Sequence, residues 1–256
     1  VDVNSIQFDE YGGIIAEDKH EATGRFYTKL IDGRWWLITP LGNRCHIAGI
    51  NAVTYAYSNS AYQKAAALRE FGSIENWAIQ TSAWLKNQLG FNLGNNNGGG
   101  TTAGDMNTLL NVENGLNVIG HTHGIGKYAS SLGTNNSVGG ATTFLYNNTM
   151  PVFDPGFVID YDNRVNQFWL NYGDNPRVVA YTSDNELPVD DTMLTKYLTL
   201  DYTIEHNYYS YACAWTWIKN ITGLEGDEID IYSINTYSNE LGVDLYDLFK
   251  GFVYDR

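Results

Sequence analysis

Short apolar runs that end in polar, Asn- and Gly-rich segments recur along this chain, with helical patterns between them. This alternation constrains the fold more than any other feature. Arg34 to Pro40 reads as a strand, with Ile31-Asp32-Gly33 as the turn before it, and Cys45 to Val53 reads as the next strand. Ile74, Trp77, Ala78, Thr81, Trp84, Leu85 and Leu89 recur at steps of three and four, so Ile74 to Leu89 is predicted to be a helix stopped by Gly90. Phe91 to Gly94 is a short strand, followed by the loop residues Asn95 to Gly100. Leu116 to His123 is another strand running into a loop. The stretch 126–150, rich in Gly, Ser, Thr and Asn, reads as one long loop. Asp154-Pro155 opens a helix by supplying a cap and a proline at its first position. Asn175-Pro176 breaks the chain before a buried-type strand, Arg177 to Thr182. Further helices are expected from Thr192, over Tyr208 to Ile218, and from about Asp244.

Strands alternating with helices imply a parallel sheet with crossover helices. No G-x-G-x-x-G follows the first strand, so a dinucleotide-binding fold has no support. An α/β barrel of the (β/α)8 type places its chemistry on loops at the carboxyl ends of its strands. The polar segments 51–60, 92–105, 121–150 and 183–191 all follow strands, as that architecture requires. Residues 1–33 form a polar N-terminal extension before the barrel part, and 1–256 reads as a single catalytic-domain portion.

Composition excludes several classes of partner. The net charge is −14, from 29 acidic and 15 basic residues, which disfavours nucleic acid and anionic membrane surfaces. No run of about 18 apolar residues is present to span a membrane. Cys45 and Cys213 form neither a disulfide framework nor a metal-ligand spacing. The 7 Trp, 19 Tyr and 10 Phe supply rings that stack on sugars, and they fill cores equally well.

The segment with the most chemical content is Tyr181-Thr182-Ser183-Asp184-Asn185-Glu186-Leu187-Pro188, directly after Val178-Val179-Ala180. A strand ending in an Asn-Glu pair can hold one carboxylate, with an amide beside it, at the mouth of a sugar-binding cleft. Glu186 is therefore the candidate catalytic acid and Asn185 its candidate substrate-binding neighbour; a helix-capping or surface carboxylate is the structural alternative. Asn51 and Asn92, on or just past strands, are candidate partners for sugar hydroxyls, or satisfied loop amides. His121 and His123 follow a strand and are candidate cleft residues. Their His-x-His spacing also fits a metal, but no Asp, Glu or Cys nearby completes a ligand set, so neither metal nor cofactor is expected. Of Trp35 and Trp36, one is expected to face the core and the other solvent or a sugar.

These residues bring a family into view. Asp32 to Asn43, followed by Gly49-Ile50-Asn51, resembles the opening of agarase-like retaining glycoside hydrolases, a group within the large clan of (β/α)8 glycosidases. Leu89-Gly90-Phe91-Asn92 is similar to that family's second barrel strand, and Pro151 to Phe157 to the segment before its third helix. Asn175-Pro176-Arg177 and Asp184 to Leu187 resemble its fourth strand and acid/base motif. The matches are short but keep their order from about residue 25 to the C-terminus. The resemblance implies a retaining double displacement on a β-linked, galactan-type saccharide. It makes Glu186 the general acid/base and Asn185 the residue that binds the 2-hydroxyl. A β-galactosidase, β-glucanase or mannanase of the same clan is the alternative. The nucleophile of the family is a glutamate on the seventh strand, and no position here matches it.

By this reading the strand at Arg177 to Thr182 is the fourth. The apolar stripe of the last helix continues through Val253 without a Gly or Pro stop before Arg256. The chain thus reads as the first four β/α units of a barrel, whose exposed strand edges need a second half. That half would come from another chain, a self-associated copy or residues beyond this sequence. A catalytically incomplete carbohydrate-binding or assembly subunit is the competing class. A secreted or periplasmic location is expected, although no signal peptide is present in this sequence.

Overall fold

The computed structural model describes residues 6–56, 60–95, 103–132, 136–137, 143–144, 148–184 and 187–256. Two compact units emerge: Val1–His121 with Phe168–Thr182, and Thr122–Gln167 with Ser183–Arg256.

The first unit begins with an antiparallel sheet. Strands β1 (Gly13–Ile14), β2 (Tyr27–Ile31), β3 (Arg34–Ile38) and β4 (Arg44–Cys45) pair in the order β1-β4-β3-β2. Asp32 and Gly33 join β2 to β3 with φ angles of 50° and 77°. This left-handed pair is what a two-residue hairpin requires, because its twist matches that of the flanking strands. The strand read from Arg34 thus exists, but it is part of a hairpin sheet rather than of the strand–helix alternation. Trp35 projects into solvent and is 67% exposed. Trp36 meets two guanidiniums over its ring, those of Arg34 at 4.9 Å and Arg44 at 5.5 Å. Neither indole enters the core.

A parallel sheet follows. It is built from β5 (Gly49–Asn51), β6 (Leu93–Asn95), β7 (Asn117–His121) and β10 (Val178–Thr182). Helices α1 (Ala61–Phe71) and α2 (Ile74–Leu89) connect β5 to β6, and α3 (Ala103–Asn111) connects β6 to β7. The strand order is β10-β7-β6-β5, all parallel, so each strand lies beside its predecessor. The single predicted strand Cys45 to Val53 is divided: Arg44–Cys45 pairs in the antiparallel sheet and Gly49–Asn51 opens the parallel one. Helix α2 occupies the predicted residues. Ser73 accepts from the Asn76 N–H at its start, and Gly90 ends it at φ 74°. Its Trp77, Ala78 and Leu85 join Met106, Leu109, Leu110, Leu116 and Val118 in the core of this unit. Each large side chain buried there stabilises the fold by about 1.5–3 kcal/mol.

The second unit contains α4 (Gly124–Ser131), the strand pair β8 (Asn136–Ser137) and β9 (Thr143–Phe144), and most of α5 (Pro155–Tyr172), whose last residues from Phe168 belong to the first unit. Helices α6 (Met193–Leu198), α7 (Glu205–Thr222), α8 (Ile234–Leu241) and α9 (Leu245–Tyr254) complete it. Its core gathers Phe157, Leu194, Tyr197, Ile218, Ile234, Leu245 and Phe249. Asp154 caps α5 as expected, accepting the Gly156 N–H at 2.8 Å, and Asp244 caps α9 by accepting from Tyr246 and Asp247. The expected single loop over 126–150 is corrected: its first residues belong to α4, despite two glycines and two serines. Helix α7 runs past the expected Tyr208 to Ile218 at both ends, and α8 lies in the polar sequence between it and α9.

One contact in the first unit fixes a glycine. The Phe168 ring lies against the Gly120 backbone, where a Cβ would collide with it. Gly120→Ala is expected to destabilise the protein by about 1–3 kcal/mol through overpacking. Urea unfolding will measure this, and Phe168→Leu in the same chain should recover part of the loss.

Candidate active site

The carboxyl edge of the parallel sheet is defined by register. Asn51 of β5 is aligned with Asn95 of β6, and Asn95 with Ile119 of β7. One step further, His121 of β7 is aligned with Thr182 of β10, whose hydroxyl donates to the Gly120 carbonyl at 3.3 Å. Asn51 and His121 thus end their strands at this edge, Asn51 exposed and His121 buried. Asn95 holds an equivalent position and was passed over in the sequence, where it read as the start of an Asn-Gly loop. Directly after Asn51, Ala52 has φ 58°, an uncommon backbone for a residue with a Cβ. The same loop is tied down by the Thr54 hydroxyl, which donates to the Asp105 carboxylate of α3 at 2.7 Å.

Asn92 is placed differently. The strand begins at Leu93, so Asn92 stands at its amino end, away from Asn51 and His121. Its amide is also committed: Oδ1 accepts the Ala48 N–H at 3.0 Å, and Nδ2 donates to the His46 carbonyl at 2.9 Å. The side chain clamps the chain entering β5, the role of a satisfied amide.

In the second unit, the segment after β10 is held to the start of α4. The Ser183 carbonyl accepts from the Thr122 hydroxyl at 2.9 Å and from the Gly124 N–H at 3.2 Å. The Asp184 carboxylate accepts the N–H of Ile125 at 3.1 Å and of Gly126 at 3.3 Å. These are donors that a helix start leaves without intrahelical partners, and the helix dipole favours an anion there. Burial nonetheless raises the Asp184 pKa; the bonds from Ile125 and Gly126, and the nearby His123, pull the other way. His123 precedes α4 with φ 49°. Its pKa is lowered, first by burial and then by Lys127, against the opposing pull of Asp184. On the far side of the motif, Pro188 is buried and Leu187 packs against the core of this unit. Asn185 and Glu186 themselves lie outside the described residues. Asp184 is thus anchored by backbone donors from a helix that the Gly-rich sequence concealed.

Among the described residues, no group of three or more His, Cys, Asp or Glu side chains is arranged to hold a metal ion, and no helix is long and apolar enough to cross a membrane.

Fold and register define a mixed α/β protein whose four parallel strands lie in sequential order. No protein-family model matches the sequence, and no curated protein matches it. Solved structures do. The chain is similar to the crystal structure of BpGH50 with a TM-score of 0.67 and 18% identity, over 96% of this chain and 50% of that one. It is similar to an agarase, AgWH50C, with a TM-score of 0.55 and 16% identity, over 91% of this chain and 40% of that one. An exo-β-agarase gives 0.53 and 15%, over 85% and 41%. The resemblance to agarase-type enzymes read from the scattered motifs is thus present at the level of fold. The chain spans half or less of the length of these structures.

Two predictions follow from the anchoring of Asp184 and the backbone of His123. Asp184→Ala removes the carboxylate from the α4 N–H groups and should cost about 1–2 kcal/mol in chemical denaturation, in the range of a lost helix cap. For His123, a pKa below its ordinary 6.5 means that the unfolded chain binds more protons as pH falls through 6.5. Its contribution to stability is therefore complete above that pH and is lost below it. His123→Asn keeps a residue tolerant of left-handed backbone and should remove this acid-side loss, measured as denaturation midpoints of both proteins from pH 8 down to pH 5.

Proposed function

We propose that this chain is the N-terminal part of a retaining (β/α)8 glycoside hydrolase acting on a β-linked galactan-type saccharide, with Glu186 as its acid/base. The observation that carries this reading is the position of Asp184-Asn185-Glu186 in the sequence. It directly follows the last strand of a four-stranded parallel sheet whose fold resembles those of GH50 structures, two of them agarases. In α/β barrels, catalytic groups occupy such post-strand positions.

In this reading Glu186 protonates the leaving glycosidic oxygen and later takes a proton from the water that releases the sugar. Asn185 binds the 2-hydroxyl. A retaining enzyme needs a second carboxylate about 5–5.5 Å away as nucleophile. No position in this sequence answers to it, so the proposal assigns it to a second half of the barrel. That half pairs with the outer strands β5 and β10, supplied either by further chain or by a partner. Two observations support this: the chain covers half or less of the GH50 structures, and each outer strand pairs on one side only among the described residues. Asn51 and His121, ending their strands, are proposed sugar contacts. His123 is proposed to line the approach to the sugar, while Asn92 is left a positioning role. Action on a polysaccharide is consistent with a secreted or periplasmic setting.

The coverage also favours a second reading, a carbohydrate-binding or assembly subunit that lacks half of the catalytic pair. One assay separates the two. Residues 1–256 alone, and the same residues joined to the remainder of the barrel, are tested on agarose and aryl β-glycosides beside Glu186→Gln. The isolated chain is expected to be inactive and the completed protein active. Glu186→Gln in the completed protein should lose about 10²–10⁴-fold in rate. Equal rates for wild type and Glu186→Gln would sink the assignment, and an inactive completed protein that still binds sugar would favour the subunit.

A further inference from the structure

A cavity of about 960 Å3 opens within the first unit at the amino ends of β5, β6 and β7, the end of the sheet opposite Asn51 and His121. It falls at the upper end of the roughly 300–1,000 Å3 typical of small-molecule sites. Its lining comes from five places: the N-terminal segment around Phe8 to Ile14, His46 and Ala48 before β5, one face of α2, Gly90 to Asn92 before β6, and the turn between α3 and β7.

The polar lining divides into committed and uncommitted groups. Asp9 is committed: its carboxylate takes the N–H of Tyr11 and Gly13, the Thr39 hydroxyl and the Asn43 amide, all at 2.7–2.9 Å. So is Lys86, whose Nζ donates to the carbonyls of Glu10 at 2.9 Å and Asn114 at 3.2 Å. These groups make a fixed wall. By contrast, the side chains of Asn87, Glu113 and Asn114 are exposed and make no hydrogen bond to protein among the described residues. The apolar lining includes Phe8, which is 60% exposed, with Ile79 at 44% and a half-buried Phe91.

This combination selects a ligand class. An exposed aromatic ring offers a face to the C–H side of a pyranose, and two amides and a carboxylate offer donors and acceptors to its hydroxyls. The charge selects further. Lys86 is occupied by two carbonyls, Glu10 is paired with Arg177, and Glu113 makes no ion pair among the described residues, so beside the exposed His46 the lining offers an anion no free lysine or arginine. A sulfated or carboxylated sugar is therefore disfavoured.

We propose that this cavity is a second, non-catalytic binding site for a neutral oligosaccharide. Phe8 stacks on one ring, and Asn87, Glu113 and Asn114 bind hydroxyls. The site is built entirely within the first unit and does not rest on the assignment of Glu186.

The test is binding, without an activity readout. Chain 1–256 is titrated with a neutral agarose-derived tetrasaccharide and with a sulfated tetrasaccharide, by calorimetry and by amide chemical shifts. The neutral sugar is expected to bind and to move the amides of Phe8, Asn87 and Glu113. Phe8→Ala, and separately the surface double variant Asn87→Ala with Glu113→Gln, should each weaken it about tenfold or more. The double variant changes only exposed side chains, so it keeps the test decisive if Phe8→Ala perturbs the N-terminal segment. Glu186→Gln should bind as wild type does, and the sulfated sugar should bind at least about tenfold more weakly. The proposal is overturned by absence of binding, by shifts confined to residues after the strands, by unchanged affinity in the double variant, or by preference for the sulfated sugar.

Discussion

The first unit depends on one polar arrangement: the grip of Asn117 and Arg177 on the backbone of Glu10 and Tyr11. Asn117, buried at the start of β7, donates its amide to the Tyr11 carbonyl at 2.7 Å and to the Asn92 carbonyl at 2.8 Å. Arg177, buried just before β10, donates to the carbonyls of Gly115 and Glu10 at 2.9 and 3.2 Å and pairs with the Glu10 carboxylate at 2.6 Å. Its guanidinium also lies 5.0 Å over the Tyr11 ring. A buried charge left without partners would cost several kcal/mol, so Arg177 holds these groups as firmly as they hold it. The result is an N-terminal segment seated at the amino ends of the parallel strands, which also forms one wall of the cavity there.

Much of this architecture is legible in the sequence wherever local chemistry and periodicity agree. Helix α2 shows its apolar face, its Ser73 cap and its Gly90 stop within one window. Helices α5 and α9 announce themselves by Asp154-Pro155 and Asp244. The Asp32-Gly33 turn marks a hairpin, but the partner strand Tyr27–Ile31 has three exposed residues in its middle and reads as polar extension. Helices α1, α4 and α8 are hidden for different reasons. No residue of α1 is buried, so no stripe appears. In α4 two glycines and two serines imitate a loop, and its start is stabilised from outside by Asp184, a partner 59 residues away. In α8 only Ile234 is buried.

The candidate site shows the same division. Asn51 and His121 are where a strand-end reading puts them. Asn92 is not, because a shift of the strand start to Leu93 moves it to the opposite edge of the sheet. Strand ends are weakly encoded here: β5 and β6 are three residues each, too short for alternation to mark where they begin. A resemblance spread over short motifs nonetheless pointed to a fold that structures only 15–18% identical share.

The Glu10–Arg177 pair has a consequence for how the protein is made. Its members are 167 residues apart, while the parallel strands join neighbour to neighbour. On a ribosome that adds about 5–20 residues each second, β5, β6 and β7 can line up as they emerge. The N-terminal segment can meet Asn117 by then, but its Glu10 must wait for Arg177, several seconds or more behind it. During that interval the amino ends of the strands carry an acidic segment without its counter-charge. The order of synthesis therefore makes the fastening of the first unit one of its last events.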